Sequence, residues 1–405
     1  MKLNLLAFAV PLFLFFIGLE YYISRKKGKN FFQFAESVAN LNVGIAERLL
    51  DLFTTGMFFY FFDYVYRNFA LFSIKPNVLT WIALFLLTDL VWYWYHRCAH
   101  RINLFWSVHV VHHQSEDFNY TVSARITVFQ AVVRSLFWSV LPLAGFPPEM
   151  IATFLLIHGL YPFFIHTQTI GKLGWLEYIF VTPSHHRVHH ASDPEYLDKN
   201  YGDVLIIWDK IFGSFVEEKK APTYGLTKPL NSHSFLWQHF HFPLELWMAF
   251  RHAKGLKKKI KVLLGKPDDI DPRFRTILEH KLLNVKSLGP TLALKQYITA
   301  QTTFSLFLLF VTVLFEHYFS GWQLFLLAAF ILLSLVNSGA MLDQRSWIFY
   351  LEMTRLAVVL IAVGVFFRSG WMVFLLATLV SLLVYYFRPI QRRYLGVLYQ
   401  ERRNE

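Results

Sequence analysis

Three short runs hold most of the residues able to do chemistry: His96-Arg-Cys-Ala-His100, His109-Val-Val-His112-His113 and His185-His186-Arg-Val-His189-His190. Within each, imidazoles recur at i,i+3 or i,i+4, and on a helix those spacings put the rings one turn apart on one face. Ring nitrogens so placed can meet one metal ion or two neighbouring ones. Eight candidate ligands, His96, His100, His109, His112, His113, His186, His189 and His190, are too many for one four-coordinate zinc. They suit a pair of ions with positions left open for a small molecule. Imidazole accepts Zn, Fe, Mn and Cu, so the spacing leaves the metal undecided. The one cysteine, Cys98, forms no CxxC motif, and the ligands must be nitrogen or oxygen. A lone buried histidine is usually a packed core residue, but three clusters this tight fit that reading poorly.

His166 and His185 are further candidate ligands, whereas His158, about two turns deeper in its apolar segment, reads as a packing or supporting residue. A metal-bound imidazole passes its other N–H to an acceptor. Asp89 is the leading candidate for that role, seven residues before His96 on the same helix face and inside an apolar stretch. Glu116, Asp117, Asp193 and Asp203 flank the clusters and are either similar supports or solvated loop acids. Arg134 and the Glu352/Arg355 pair read as polar contacts between packed helices.

The elements that must position these residues are membrane helices. The chain is 55% hydrophobic and 16% charged, where a soluble domain carries about a quarter charged residues. Stretches approaching spanning length are Asn4–Ile23, Ile45–Tyr66, Val78–Tyr95, Ile126–Gly145, Met150–His166, Thr303–Phe315, Trp322–Asn337, Trp347–Phe367 and Trp371–Phe387. The predicted fold class is therefore all-α, a multi-pass transmembrane bundle of about nine spans with a cytoplasmic helical cap carrying the histidine boxes. Ile45–Tyr66 is interrupted by Glu47, Arg48, Asp51 and Asp63 and could lie partly in the interface. Predicted divisions are N-terminal membrane helices (1–77), a catalytic region (78–230), a basic linker and cap (231–295) and C-terminal membrane helices (296–405). Arg25, Lys26, Lys27 and Lys29 follow the first apolar run, which reads as a retained span with its N-terminus outside. Loops at Gly145–Glu149, Tyr318–Gly321 and Arg368–Gly370 are then outside, and the basic stretches Arg251–Lys286 and Arg388–Arg403 inside, with the histidines facing the cytoplasm. The formal charge of +12 lies beside apolar segments, which favours anionic lipid headgroups over nucleic acid as its partner.

The runs TDLVWYWYHRCAH, WSVHVVHHQSEDFN, FFIHTQTIGKLGWLEYIFVTPSHHRVHH and DKNYGDVLIIWDKIFGSF resemble the fatty-acid hydroxylase and sterol desaturase superfamily, in particular its alkylglycerol-cleaving branch. The likeness is close from about Glu20 to Leu230 and rests on hydropathy alone in the C-terminal helices. It implies a membrane monooxygenase in which the eight box histidines hold two iron ions, with O2 and an external reductant such as a tetrahydropterin. The implied reaction hydroxylates a lipid carbon beside an ether oxygen, giving a fatty aldehyde and a glycerol derivative, and needs no side chain as nucleophile or general base. Two departures stand out: Arg101, where the family commonly has an acidic residue after the first box, and the segment Ser123–Thr127. The location implied is an integral membrane one, in a bacterial inner membrane or the endoplasmic reticulum, and the electron donor stays open.

Other readings compete. The chain could hydroxylate or desaturate a fatty acyl chain, sterol or carotenoid, with the carbon skeleton kept. A metal or haem transporter would spread ligands along a path through the bilayer, and a structural zinc site would leave no position for O2.

Overall fold

The computed structural model describes residues 3–127, 129–283, 290–367 and 370–399. Arg368 and Ser369 of an expected outer loop, the end of the basic segment at 284–289, and the tail from Gln400 onward lie outside the described residues. The described chain is all-helical, and its only strand-like pairings are two isolated bridges, Phe180 with Leu205 and Ala191 with Tyr224.

Among the described residues, five helical segments are long and apolar enough to cross a membrane: Leu5–Lys26, Val78–Arg101, Pro148–Ile165, Leu292–Leu314 and Gly321–Leu342. A sixth is added if the pair Val373–Tyr385 and Phe387–Tyr399, bent by 75°, counts as one broken span. We label the site-bearing helices α1 (Ala9–Lys26), α2 (Phe34–Phe69), α3 (Val78–Arg101), α4 (Asn103–His109), α5 (Pro148–Ile165) and α6 (Pro183–His189). Asn77 starts α3 with a capping box, its side chain accepting the Thr80 N–H while Thr80 Oγ1 accepts the Asn77 N–H. Pro147 and Pro148 start α5, where a missing N–H costs nothing.

Both α3 and α5 end among the histidines, so the chain between them must return to the other end of the bundle. The expected crossing Ile126–Gly145 makes that return as two short helices, Gln130–Trp138 and Val140–Ala144, rather than as one straight span. Its far end is fixed beside the start of α3, where the Leu71 N–H bonds the Leu143 carbonyl at 2.8 Å and the Ile74 N–H bonds the Gly145 carbonyl at 3.2 Å. Gly145 sits at φ +104° with the Phe72 carbonyl against it, a position with no room for a side chain.

The N-terminal helices are tied to the histidine end by polar contacts. Glu20, buried in α1, accepts the Tyr120 N–H at 2.7 Å and the Thr167 hydroxyl. Asn40 in α2 donates to Ser115 and Thr121. C-terminal helices pack on the start of α2 through Val38, Leu294, Ile298, Met341 and Ile348. There Arg355 bonds Glu352 and Gln301 at 2.9 Å, a polar contact between helices.

Candidate metal centre

The histidines collect into two adjoining groups. His96, His100, His109, His113 and His189 form one, and His112, His166, His186 and His190 the other, with ligand atoms in each group within 4.8 Å of one another. Local backbone geometry decides the sorting. α3 presents His96 and His100 one turn apart to the first group. After His109 the chain tightens into a 3-10 turn, Val110–His113, and the two adjacent rings diverge: His113 joins the first group and His112 the second. In α6, His186 and the following His190 face the second group and His189 the first.

His166 caps the C-terminal end of α5, and its Nδ1 donates to the Pro162 carbonyl at 2.5 Å, leaving Nε2 toward His112 and His186. His185 lies outside both groups. Its ring faces Phe215, and its Nδ1 accepts the Thr182 N–H at 3.3 Å as the returning half of the α6 capping box.

The outer nitrogens meet mostly backbone carbonyls. His96 Nδ1 donates to Tyr201 at 2.8 Å, His189 Nδ1 to Lys199 at 3.0 Å and His112 Nδ1 to Arg125 at 3.3 Å, while His109 Nδ1 faces the Gln130 Oε1 at 3.4 Å. Each such bond places the ring's proton on Nδ1 and leaves Nε2 with a lone pair. The lone pairs nonetheless converge: Nε2 of His96 lies 3.1 Å from that of His109, and Nε2 of His166 lies 3.3 Å from that of His112. Two lone pairs at that separation repel unless a cation sits between them. Nitrogens about 2.1 Å from a first-row ion and at right angles stand about 3 Å apart. Nε2 of His100, His189 and His190 is also buried with no hydrogen-bond partner. The donor set fits two metal ions.

Burial holds the rings of His109, His112, His113, His186 and His190 well below the ordinary imidazole pKa, and that of His189 at about 4. All are neutral at pH 7, the form that binds a metal.

The supporting residues differ from the sequence-based expectation. Asp89 takes no bond from His96. It accepts the Val204 and Leu205 N–H groups at 3.0 and 3.1 Å and the Trp208 indole at 2.9 Å, anchoring the loop that carries Tyr201. Asp203 pairs with His158, Asp117 accepts the Gln33 N–H and Asp193 the Thr223 N–H. Arg134 lies over the rings of Trp92 and Trp138.

Sequence reasoning missed Asp209, whose carboxylate accepts the Tyr201 and Gly202 N–H groups at 2.8 and 2.7 Å and so aims the Tyr201 carbonyl at His96. It missed Asn200, held at φ 55° while its amide ties His185 to Val216, and Asp198, 3.6 Å from His100 Nδ1. The departing segment Ser123–Thr127 is part of the support as well. Arg125 is fully buried and bonds the Val111 carbonyl at 2.6 Å, Asn40 at 2.8 Å and Gln114 at 2.5 Å. The signal for Asp198 and Asn200 lay in the polar run Asp198–Asp203, an unusual density of turn formers between apolar segments. Arg101 is exposed at the end of α3.

A cavity of about 1260 Å³, counting the open space at its mouth, runs from His96, His109, His112, His166 and His186 into the helices. One wall is apolar, from Val10, Phe13, Leu14 and Ile17 of α1 with Leu306 and Leu309. That wall suits an alkyl chain.

The fatty acid hydroxylase family model matches residues 81–214, the segment carrying all three boxes. Among curated proteins, alkylglycerol monooxygenase of Homo sapiens is 36% identical over 348 residues, covering 83% of this chain and 77% of the relative. The alkylglycerol monooxygenases of Danio rerio and Xenopus tropicalis are each 34% identical, covering 80% and 79% of this chain and 74% and 73% of their own lengths. No solved structure matches.

Proposed function

Because the chain belongs to the fatty acid hydroxylase family, alongside alkylglycerol monooxygenases, and is a membrane oxidoreductase of the lipid monooxygenase class, we propose that it cleaves alkylglycerol ether lipids with O2 at a di-iron centre. The observation that carries the reading is the convergence of nine imidazoles in two groups, five of them lining a cavity with one apolar wall. His96, His100, His109, His113 and His189 would hold one iron, and His112, His166, His186 and His190 the other; the bound pair would supply activation of O2 for attack on an unactivated C–H bond.

The protein's own residues do the rest. Carbonyls of Tyr201, Lys199, Arg125 and Pro162 fix the ring tautomers and orientations. The apolar wall from α1 and Leu306 aligns the alkyl chain and excludes water from the reacting carbon. One oxygen atom of O2 enters the carbon beside the ether oxygen, and the other leaves as water with two electrons and two protons from an external donor, for which a tetrahydropterin is the candidate. The hemiacetal so formed collapses to a fatty aldehyde and a glycerol derivative.

We place the site at the cytoplasmic face. The basic helix Leu256–Leu264 supports this, because it is joined to the histidine end of α3 by Asn103, whose N–H bonds the Gly265 carbonyl and whose side chain bonds the Val262 carbonyl, each at 2.8 Å. A nine-span arrangement counts α2, Ile348–Phe367 and the broken return Gln130–Ala144 as crossings beside the six apolar candidates. A transport role is disfavoured, since the ligands converge at one end instead of lining a path.

The test is to incubate the reduced protein anaerobically with an alkylglycerol, admit O2 and measure fatty aldehyde. O2-dependent aldehyde is expected. A hydroxylated lipid with its ether bond intact would refute the ether-cleaving reading.

A further inference from the structure

Asp89, His158 and Asp203 form a third buried cluster, apart from the two histidine groups, with ligand atoms within 4.8 Å of one another. His158 and Asp203 also line the cavity that reaches the histidine groups. The cluster is arranged for hydrogen bonding rather than for a cation. Both oxygens of Asp89 are taken by the Val204 and Leu205 N–H groups and the Trp208 indole, and His158 Nδ1 is bonded to Asp203 at 2.5 Å with Asp89 at 3.9 Å. Facing carboxylates on its Nδ1 side, the ring carries its proton there. Its Nε2 is buried with no partner, although His158 is only 2% exposed. A buried polar atom without a partner is costly, and a protein that aligns one with two carboxylates beside a cavity has left it for a ligand.

We propose that His158, positioned by Asp203 and Asp89, binds a free hydroxyl of the lipid headgroup and so selects ether lipids that carry one. A hydroxyl both donates and accepts, so it pairs with Nε2 in either protonation state, whereas an ether or ester oxygen can only accept. The spacing along the chain is compatible: His158 lies eight residues before His166, the cap of α5, a backbone rise of about 12 Å. A hydroxyl oxygen four or five bonds from the reacting carbon extends about 5–6 Å from it. The rest of the rise is taken up by a near-attack gap of about 3 Å at one end and a hydrogen bond of about 2.8 Å at the other. The headgroup then lies deep in the cavity and the alkyl chain along the apolar wall.

This inference rests on the alkylglycerol reading, so its test is a binding measurement without turnover. Radiolabelled 1-O-hexadecylglycerol and its 2,3-di-O-methyl ether are bound anaerobically to the detergent-solubilised full chain. The unaltered protein is expected to prefer the diol roughly tenfold. His158→Phe should bring the two affinities together by weakening only the diol, and His158→Gln, which keeps a polar group, should restore part of the preference. Equal binding of both lipids to the unaltered protein overturns the inference whether or not the variants fold. So does a loss in His158→Phe that is the same for both lipids. If neither lipid binds, the alkylglycerol reading itself fails and the inference with it.

Discussion

Asp209→Asn tests whether backbone carbonyls, aimed by a distant carboxylate, hold the first histidine group together. Asp209 is buried beneath the loop and accepts three bonds, from the Tyr201 N–H at 2.8 Å, the Gly202 N–H at 2.7 Å and the Ser214 hydroxyl at 2.7 Å. Asparagine keeps one acceptor oxygen and turns an NH2 toward the other backbone N–H. At least one bond to a charged acceptor is lost, about 1.5–3 kcal/mol, and a donor–donor contact replaces it. Gly202 is closely packed at this point, where an added Cβ would lie 2.7 Å from the Leu205 carbonyl and 3.0 Å from Asp209 Oδ2, so the neighbouring atoms leave little space for the asparagine to rearrange. The Tyr201 carbonyl then no longer pins His96, and the loss of such a support weakens metal binding by roughly 10–100-fold. Competitive chelator titration of the metal-loaded protein is the assay, with thermal unfolding alongside to follow the fold. The expected result is one ion released at markedly lower chelator concentration while the second is unaffected. Unchanged release of both ions, or an equal weakening of both, would refute the reasoning.

Adjacent rings should behave differently. His112→Ala leaves three nitrogens in its group and is expected to lose one ion on dialysis, whereas His113→Ala leaves four in the other and should retain more metal, as elemental analysis will read out. His185→Ala should keep both ions and lower stability by about 1 kcal/mol through loss of half the α6 capping box, measured as a fall in Tm. The metal-free chain should be acid-sensitive. His189 titrates at about 4 when folded and at 6.5 when free, so between those values only the unfolded chain binds the proton. Its contribution is intact above pH 6.5 and is lost as the pH falls toward 4, by about 3 kcal/mol for this ring, which chemical denaturation across that range will measure.

The eight box histidines were legible as neighbours because i,i+3 and i,i+4 spacing keeps the rings within about one turn of one another. Which ring goes to which group was not legible: the 3-10 turn at Val110–His113 separates His112 from His113, and nothing in HxxHH announces that tightening. His185 and His186 illustrate the same limit, since two adjacent imidazoles point differently and one is used by the helix cap. Asp89 was read along its own helix toward His96, but its partners are backbone N–H groups 115 and 116 residues away, a pairing that only the tertiary fold creates. Acceptors supplied by backbone carbonyls leave no residue-type signal at all. Hydropathy located the apolar segment before Pro147, while its division into Gln130–Trp138 and Val140–Ala144 falls where Pro142 has no N–H to give the Trp138 carbonyl, a local signal that hydropathy does not register.

The proposed function stands on nine imidazoles holding two iron ions. The most direct measurement is iron quantification together with iron K-edge X-ray absorption on protein purified anaerobically. Two irons per chain are expected, each with nitrogen and oxygen neighbours and no sulfur. A single ion per chain, or stoichiometric zinc without iron, would contradict it.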